Sequence, residues 1–275
     1  MRLVIASGKG GTGKTLVSTH LAASLKEERE VELLDCDVEE PNSHLFFDLE
    51  VQDIEEIKTV SPNIDSSHCI GCNICSERCE FNALSVVNKN VIFFPELCHS
   101  CGGCILFCPT DAITKGEKVI GTIEHAKAKG FPVITGRLNI GSALAPELIE
   151  EVIERSNKNK LSVIDSPPGT SCSAVAALSN ADFCLLVTEP TPYGLHDLEK
   201  AVLVARRLDV PTAVIINKSQ QNKDLITTYC EKEELPILLK IPYSMKIAQE
   251  YAEGRLSSEL LDSIKLIIKD IEGMI

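Results

Sequence analysis

The run GKGGTGKT at residues 8–15 constrains the architecture more than any other feature of this chain. It is entered directly from the apolar stretch 3–6 and left through a helix-forming segment beginning near Thr15. It satisfies the phosphate-loop pattern GxxxxGK[ST] in the strand–loop–helix setting where that pattern has physical meaning. Gly8, Gly10, Gly11 and Gly13 let the backbone wrap closely, so that successive amides, including those of Lys9, Thr12 and Leu16, point at an anion. The helix that follows adds its positive end. Lys14 is placed to neutralise β- and γ-phosphates, and the Thr15 hydroxyl to ligate Mg²⁺.

Beyond the loop, short apolar runs alternate with amphipathic segments. Strands are expected at residues 3–6, 31–34, 132–135, 161–164, 183–187, 212–216 and 237–241, mostly continuous runs suited to a sheet buried on both faces. Helices are expected at 16–26, 145–155, 196–208 and 223–233, with apolar residues three and four apart. The alternation implies right-handed crossovers and an α/β, doubly wound, mostly parallel sheet.

Two further strand ends carry acids. The segment at 35–37 reads Asp-Cys-Asp, and a later one places Asp165 just before PPG. Acids at the carboxyl end of a strand beside the first are expected to face the same crevice as the loop. Asp37 and Asp165 are therefore candidates for a role beside the phosphate loop, against the alternative of caps and turns. Cys36, between the acids, is expected to point to the opposite face as a small buried residue.

From about residue 61 to 117 this rhythm breaks. Eight of the chain's twelve cysteines fall here, and CIGCNICSERCEFNAL from Cys69 is echoed by CHSCGGCILFCPTDAI from Cys98, 29 residues later. The host is therefore expected to be discontinuous, 1–60 plus 118–275, with an α+β insert at 61–117. Cys69, Cys72, Cys75 and Cys79 form CxxCxxCxxxC, and Cys98, Cys101, Cys104 and Cys108 repeat it. Thiolates with two-residue gaps suit three corners of a [4Fe-4S] cubane, and the fourth cysteine of such a run ligates the other cluster. One cluster is thus expected on Cys69, Cys72, Cys75 and Cys108, the second on Cys79, Cys98, Cys101 and Cys104. Zinc is the alternative, although its knuckles do not call for tandem runs with a three-residue final gap.

These motifs carry a resemblance. The loop with its early lysine, Lys9, resembles the deviant Walker A motif shared by MinD, ParA, the Mrp-type scaffold ATPases and the nitrogenase iron protein, while the cysteine region resembles bacterial-type 2[4Fe-4S] ferredoxins. Leu16 and Glu80 depart from the usual Thr and Pro. The resemblance implies a slow, partner-stimulated ATPase and a homodimer in which Lys9 reaches the partner's nucleotide; the plain alternative is a solvated loop lysine. It also implies that Asp37 and Asp165 serve the Mg²⁺ shell, with Asp37 positioning water, that the Gly169 amide senses the γ-phosphate, and that Asn217 and Pro242 lie on either side of adenine. On this basis nucleotide state is expected to govern electron transfer through two clusters. Alternatives are an iron–sulfur cluster carrier and a partner-docking switch with structural clusters.

A net charge of -13 argues against nonspecific nucleic-acid binding. The opening residues lack a signal-peptide core and no long apolar run occurs, so a cytoplasmic protein is expected. The amphipathic segment 258–275 has mixed charge on its polar face, which suits a core-packing helix rather than a membrane anchor. Cys172 reads as a small residue in the first turn of a helix; a redox-sensitive thiol or an extra ligand near a dimer interface is the sharper alternative.

Overall fold

In the computed structural model, residues 1–219 and 225–275 are described. The first half of the chain runs β1 (Arg2–Ala6), α1 (Lys14–Leu25), β2 (Val31–Asp35), β3 (Glu50–Ile64), α2 (Ile74–Glu77), β4 (Leu84–Val87), β5 (Asn90–Phe93) and α3 (Gly103–Leu106). It continues with β6 (Ile113–Ala128), β7 (Phe131–Leu138), α4 (Ala145–Glu154), β8 (Leu161–Asp165), α5 (Cys172–Leu178), β9 (Phe183–Thr188) and α6 (Pro192–Arg207). The last elements are β10 (Thr212–Ser219), α7 (Leu225–Lys232), β11 (Ile237–Pro242), α8 (Met245–Ala252) and α9 (Ser258–Glu272). The helix expected at 223–233 begins, in part, outside the described residues.

Among the described residues, nine strands form one sheet in the order β11-β10-β9-β1-β8-β2-β7-β6-β3. The seven from β11 to β7 are parallel, as their runs of Val, Ile and Leu anticipate. Successive residues of β1 feed opposite layers: Val4 and Ala6 pack with α4, α5 and α6, while Leu3 and Ile5 pack with α1 and α9. Leu260, Ile264, Ile267, Ile268 and Ile271 bury the apolar stripe of α9 in that second layer. Among the described residues no helix is long and apolar enough to cross a membrane.

Two features correct the sequence reading. The strand carrying the first acid pair does not neighbour β1, because β8 lies between them, pairing Ile5 and Asp35 each with Asp165. The second is a long antiparallel ribbon, β3 with β6, which the sequence reading did not anticipate. It pairs Glu50 with Lys127 at one end and Ile64 with Ile113 at the other, interrupted by two register shifts. β3 is largely polar and exposed, and β6 mixes exposed polar residues with buried ones gathered mostly in its second half. Neither therefore shows the apolar run of a buried strand or strict alternation. Residues 61 and 117, where the insert was expected to begin and end, both lie within this ribbon, Ser61 pairing with Gly116 and Glu117 with Val60.

Residues 65–112 sit at the ribbon's far end around a small core of Cys75, Leu84 and Ile113. The duplication seen in sequence is also a duplication in backbone. α2 and α3 are 29 residues apart, and left-handed residues recur at that spacing: Gly71 with Ser100, Asn73 with Gly102, Asn82 with Asp111.

Candidate functional site

β1, β8 and β2 end side by side, and their carboxyl ends build a single polar crevice. Gly13, at φ 101, is the turn residue before α1. A Cβ there would meet the Asn217 amide at 2.3 Å, so two constraints select glycine. Gly8 has a different reason, since a Cβ would lie 2.1 Å from the Asp197 carbonyl oxygen. Lys14 and Thr15 are buried at the loop's exit.

The Thr15 hydroxyl donates to Asp165 Oδ2 at 2.7 Å, while Asp165 Oδ1 is buried without a hydrogen-bond partner among the described residues. An orphaned carboxylate oxygen beside a threonine hydroxyl fits a hydrated Mg²⁺. Asp35 is fully buried and accepts the amides of Asp37, Asn42 and Ser43 at 3.2, 3.1 and 2.9 Å. Ser43 also places its hydroxyl 3.5 Å from Asp165 Oδ2, so the acid cluster holds the chain that leads towards β3. Cys36 is buried in the opposite layer, as expected.

Burial pushes Asp165 up to about 7, with the Asp35 charge adding to it and Lys14 opposing. Burial likewise pushes Asp37 up to about 6 against the pull of Lys14. The unliganded fold therefore binds protons that the unfolded chain releases. These two groups contribute stability that is full below pH 3.8 and is lost as pH rises through about 6 and about 7. A divalent cation held in this crevice would need both carboxylates ionised. Mg²⁺-nucleotide binding should accordingly release protons and weaken as pH falls from 7.5 to 6, by up to about tenfold per unit for each proton displaced. Calorimetry in buffers of different ionisation enthalpy checks this; pH-independent affinity without proton release would contradict it.

The remaining loop contacts were only partly foreseen. Lys9 is ion-paired with Glu189, whose other oxygen accepts from Lys218 at 3.1 Å; Lys218 also donates to the Gly11 carbonyl at 3.2 Å. Glu189 stands just beyond β9, the strand beside β1, and an acid at that strand end was the available signal. The Gly169 amide donates to the Ser7 carbonyl at 2.9 Å, so contact with a phosphate requires that bond to open.

Beside the loop is a cavity of about 280 Å³, lined by Gly11, Gly13, Leu16, Asn217, Pro242 and residues of α8. Asn217 braces the loop from this wall, its amide donating to the Thr12 carbonyl at 2.7 Å and accepting from the Lys218 amide at 2.8 Å. Tyr251 closes the wall from α8, its ring 5.0 Å from Phe46. α8 was not anticipated from the sequence.

At the far end of the ribbon, Cys69, Cys72, Cys75 and Cys108 line one cavity. Cys79, Cys98, Cys101 and Cys104 line another. Each run's fourth thiol thus lies with the other run's first three. Burial raises the Cys75 thiol and pushes Cys104 up to about 11, while backbone amides around Thr110 outweigh burial and lower Cys108. Among the described residues no three Cys, His, Asp or Glu side chains converge on a single-ion site. Cys172 is exposed at the start of α5.

The sequence profile of the CobQ/CobB/MinD/ParA nucleotide binding domain matches residues 3–257. Uncharacterized protein MJ0579 of Methanocaldococcus jannaschii is 33% identical, the match covering 92% of this chain and 90% of that protein. An iron-sulfur cluster carrier protein of the same organism is 23% identical across 99% of this chain and 85% of its own length. The cell division ATPase MinD of Pyrococcus furiosus superposes with a TM-score of 0.59 at 20% identity, covering 100% of this chain and 99% of that one. The chain belongs to the CobQ/CobB/MinD/ParA nucleotide-binding family, with a MinD-like fold.

Proposed function

We propose that the chain is an ATP-hydrolysing iron–sulfur protein that binds two [4Fe-4S] clusters in a ferredoxin-like insert and delivers them to partner proteins under nucleotide control. One observation carries this reading: eight cysteines divide into two cavities of four thiols on a ribbon continuous with the sheet that bears the phosphate loop. Tetrahedral zinc would draw thiolates to about 2.3 Å from one point. A ring of thiols around a cavity suits a larger, multi-iron group. Similarity to cluster carriers, including the Pyrococcus furiosus protein at 24% identity, supports transfer as the outcome.

At the other site the loop amides and Lys14 hold the β- and γ-phosphates, Thr15 and Asp165 hold Mg²⁺, and Asp37 orients the attacking water. Bound Mg²⁺ supplies charge neutralisation at the transferred phosphoryl group. The chain then offers a short route to the clusters. Ser43 touches Asp165 and its amide is held by Asp35, while β3 begins at Glu50. A shift of the acid cluster on nucleotide binding would pull on the base of the ribbon.

The active form is a homodimer in which Lys9 leaves Glu189 for the partner's nucleotide. Glu189→Gln should release Lys9 and raise the ATP-dependent dimer fraction, by about tenfold in the association constant, or about 1.4 kcal/mol. Sedimentation with a non-hydrolysable ATP analogue reads this, and an unchanged or weakened association would count against the exchange.

A second reading is nucleotide-gated electron transfer, favoured by the complete four-thiol sets, which suit retained clusters. Loaded protein mixed anaerobically with an apo-ferredoxin, with and without Mg²⁺-ATP, separates the two. ATP-stimulated appearance of holo-acceptor supports delivery. Iron that stays on the chain while its reduction potentials move with nucleotide supports electron transfer instead.

A further inference from the structure

The tandem repeat makes the two thiol sets look equivalent, yet their surroundings differ. The Lys118 ammonium, from β6, donates to the carbonyls of Cys98 and Pro95 at 2.9 and 3.2 Å, which places a cation against the loop carrying three thiols of the second set. These acceptors are neutral, so the charge is not cancelled by them. The adjacent Glu117 faces Lys58 instead, at 3.8 Å. Arg78 also lines the second cavity, over the Phe107 ring at 5.5 Å, and the Ala83 amide donates to Cys79 Sγ at 3.3 Å.

The first set has no cation placed as Lys118 is, although backbone amides around Thr110 serve Cys108 as the Ala83 amide serves Cys79. The Thr110 hydroxyl near Cys108 is committed to the His68 carbonyl at 2.9 Å. The entry loop carries the Asp65 carboxylate, bonded to Ser67 and His68, and the stem of Lys89 rests near Gly71 with the residue itself exposed to solvent. Reducing a cluster adds one negative charge. Nearby cations and N–H···S bonds stabilise that form. The sulfur bonds occur in both sets, and solvent screens the exposed Lys89 and Arg78 more than the half-buried Lys118.

We infer that Lys118 makes the two cluster sites electrostatically unequal, so that a single electron shared by the pair resides on the site of Cys79, Cys98, Cys101 and Cys104. This rests on the two-cluster reading above. Both sites border the ribbon, the second through Val60 and Pro62 of β3 and the first through Ile113 of β6. The electron comes from an external one-electron donor, and its exchange between the sites oxidises one cluster as it reduces the other, with no bond made or broken.

The test is a mediated redox titration of the full-length, reconstituted chain followed by EPR, with iron counted first. Iron well below about eight atoms per chain would refute the two-cluster reading itself. With both sites loaded, two one-electron steps are expected. Cys101→Ser should perturb the higher step and Cys72→Ser the lower. Lys118→Gln keeps hydrogen-bond donors but removes the charge. It should lower the higher step by about tenfold in its equilibrium constant, about 59 mV, and leave the other in place. Lys118→Arg should leave both in place, and it reads the charge if the glutamine variant fails to load. A single unresolved step, an equal displacement of both, or a displacement confined to the step that Cys72→Ser perturbs would overturn the inference.

Discussion

Replacing Lys14 with alanine should abolish the stabilisation of this chain by Mg²⁺-ATP. Lys14 is buried, and its charge acts on both Asp37 and Asp165. Truncating one partner of a buried charge contact costs about 2–5 kcal/mol, roughly thirty- to several-thousand-fold in nucleotide affinity. A further loss follows from the acids. Without the ammonium they face one another with less compensation, so their protonated forms gain and Mg²⁺ competes less well. The expected result is that the nucleotide-dependent rise in Tm disappears, while iron content, set at the other end of the ribbon, is unchanged. Retained nucleotide affinity in the variant would remove the loop from the site.

The second large effect concerns the crossed thiols. Cys108 follows three cysteines of the second run, but it lines the cavity of the first. Cys108→Ser should therefore weaken or empty the site of Cys69, Cys72 and Cys75 and spare the other, leaving towards four irons from about eight. Cys79→Ser should do the reverse. Iron analysis with EPR of each variant separates the outcomes. If Cys108→Ser instead depletes the site of Cys98, Cys101 and Cys104, the runs fold as separate units and the crossed arrangement is wrong.

Much of this was legible because the chemistry demands it locally. The phosphate loop is contiguous, so one segment declares both the glycines and the lysine. The parallel strands are buried on both faces, and their apolar runs stand out for that reason. What escaped detection is non-local or polar. The ribbon β3–β6 is held by pairing between residues far apart in sequence, and its exposed faces carry charges that read as loop. The placing of β8 between β1 and β2 follows from crossover geometry that no single segment encodes. Glu189, Lys218 and Tyr251 belong to three separate elements, and only the folded sheet brings them to the loop. Nor does any local pattern show that the Gly169 amide donates to the Ser7 carbonyl.

The central claim is that one polypeptide grips a polyphosphate with backbone amides and a lysine, and grips iron with eight thiolates. Metal and nucleotide analysis of the full chain, isolated without air and incubated with Mg²⁺-ATP, tests it most directly. The account predicts about eight irons with matching sulfide and one adenine nucleotide per chain. Zinc in place of iron, or a chain that retains no nucleotide, would contradict it.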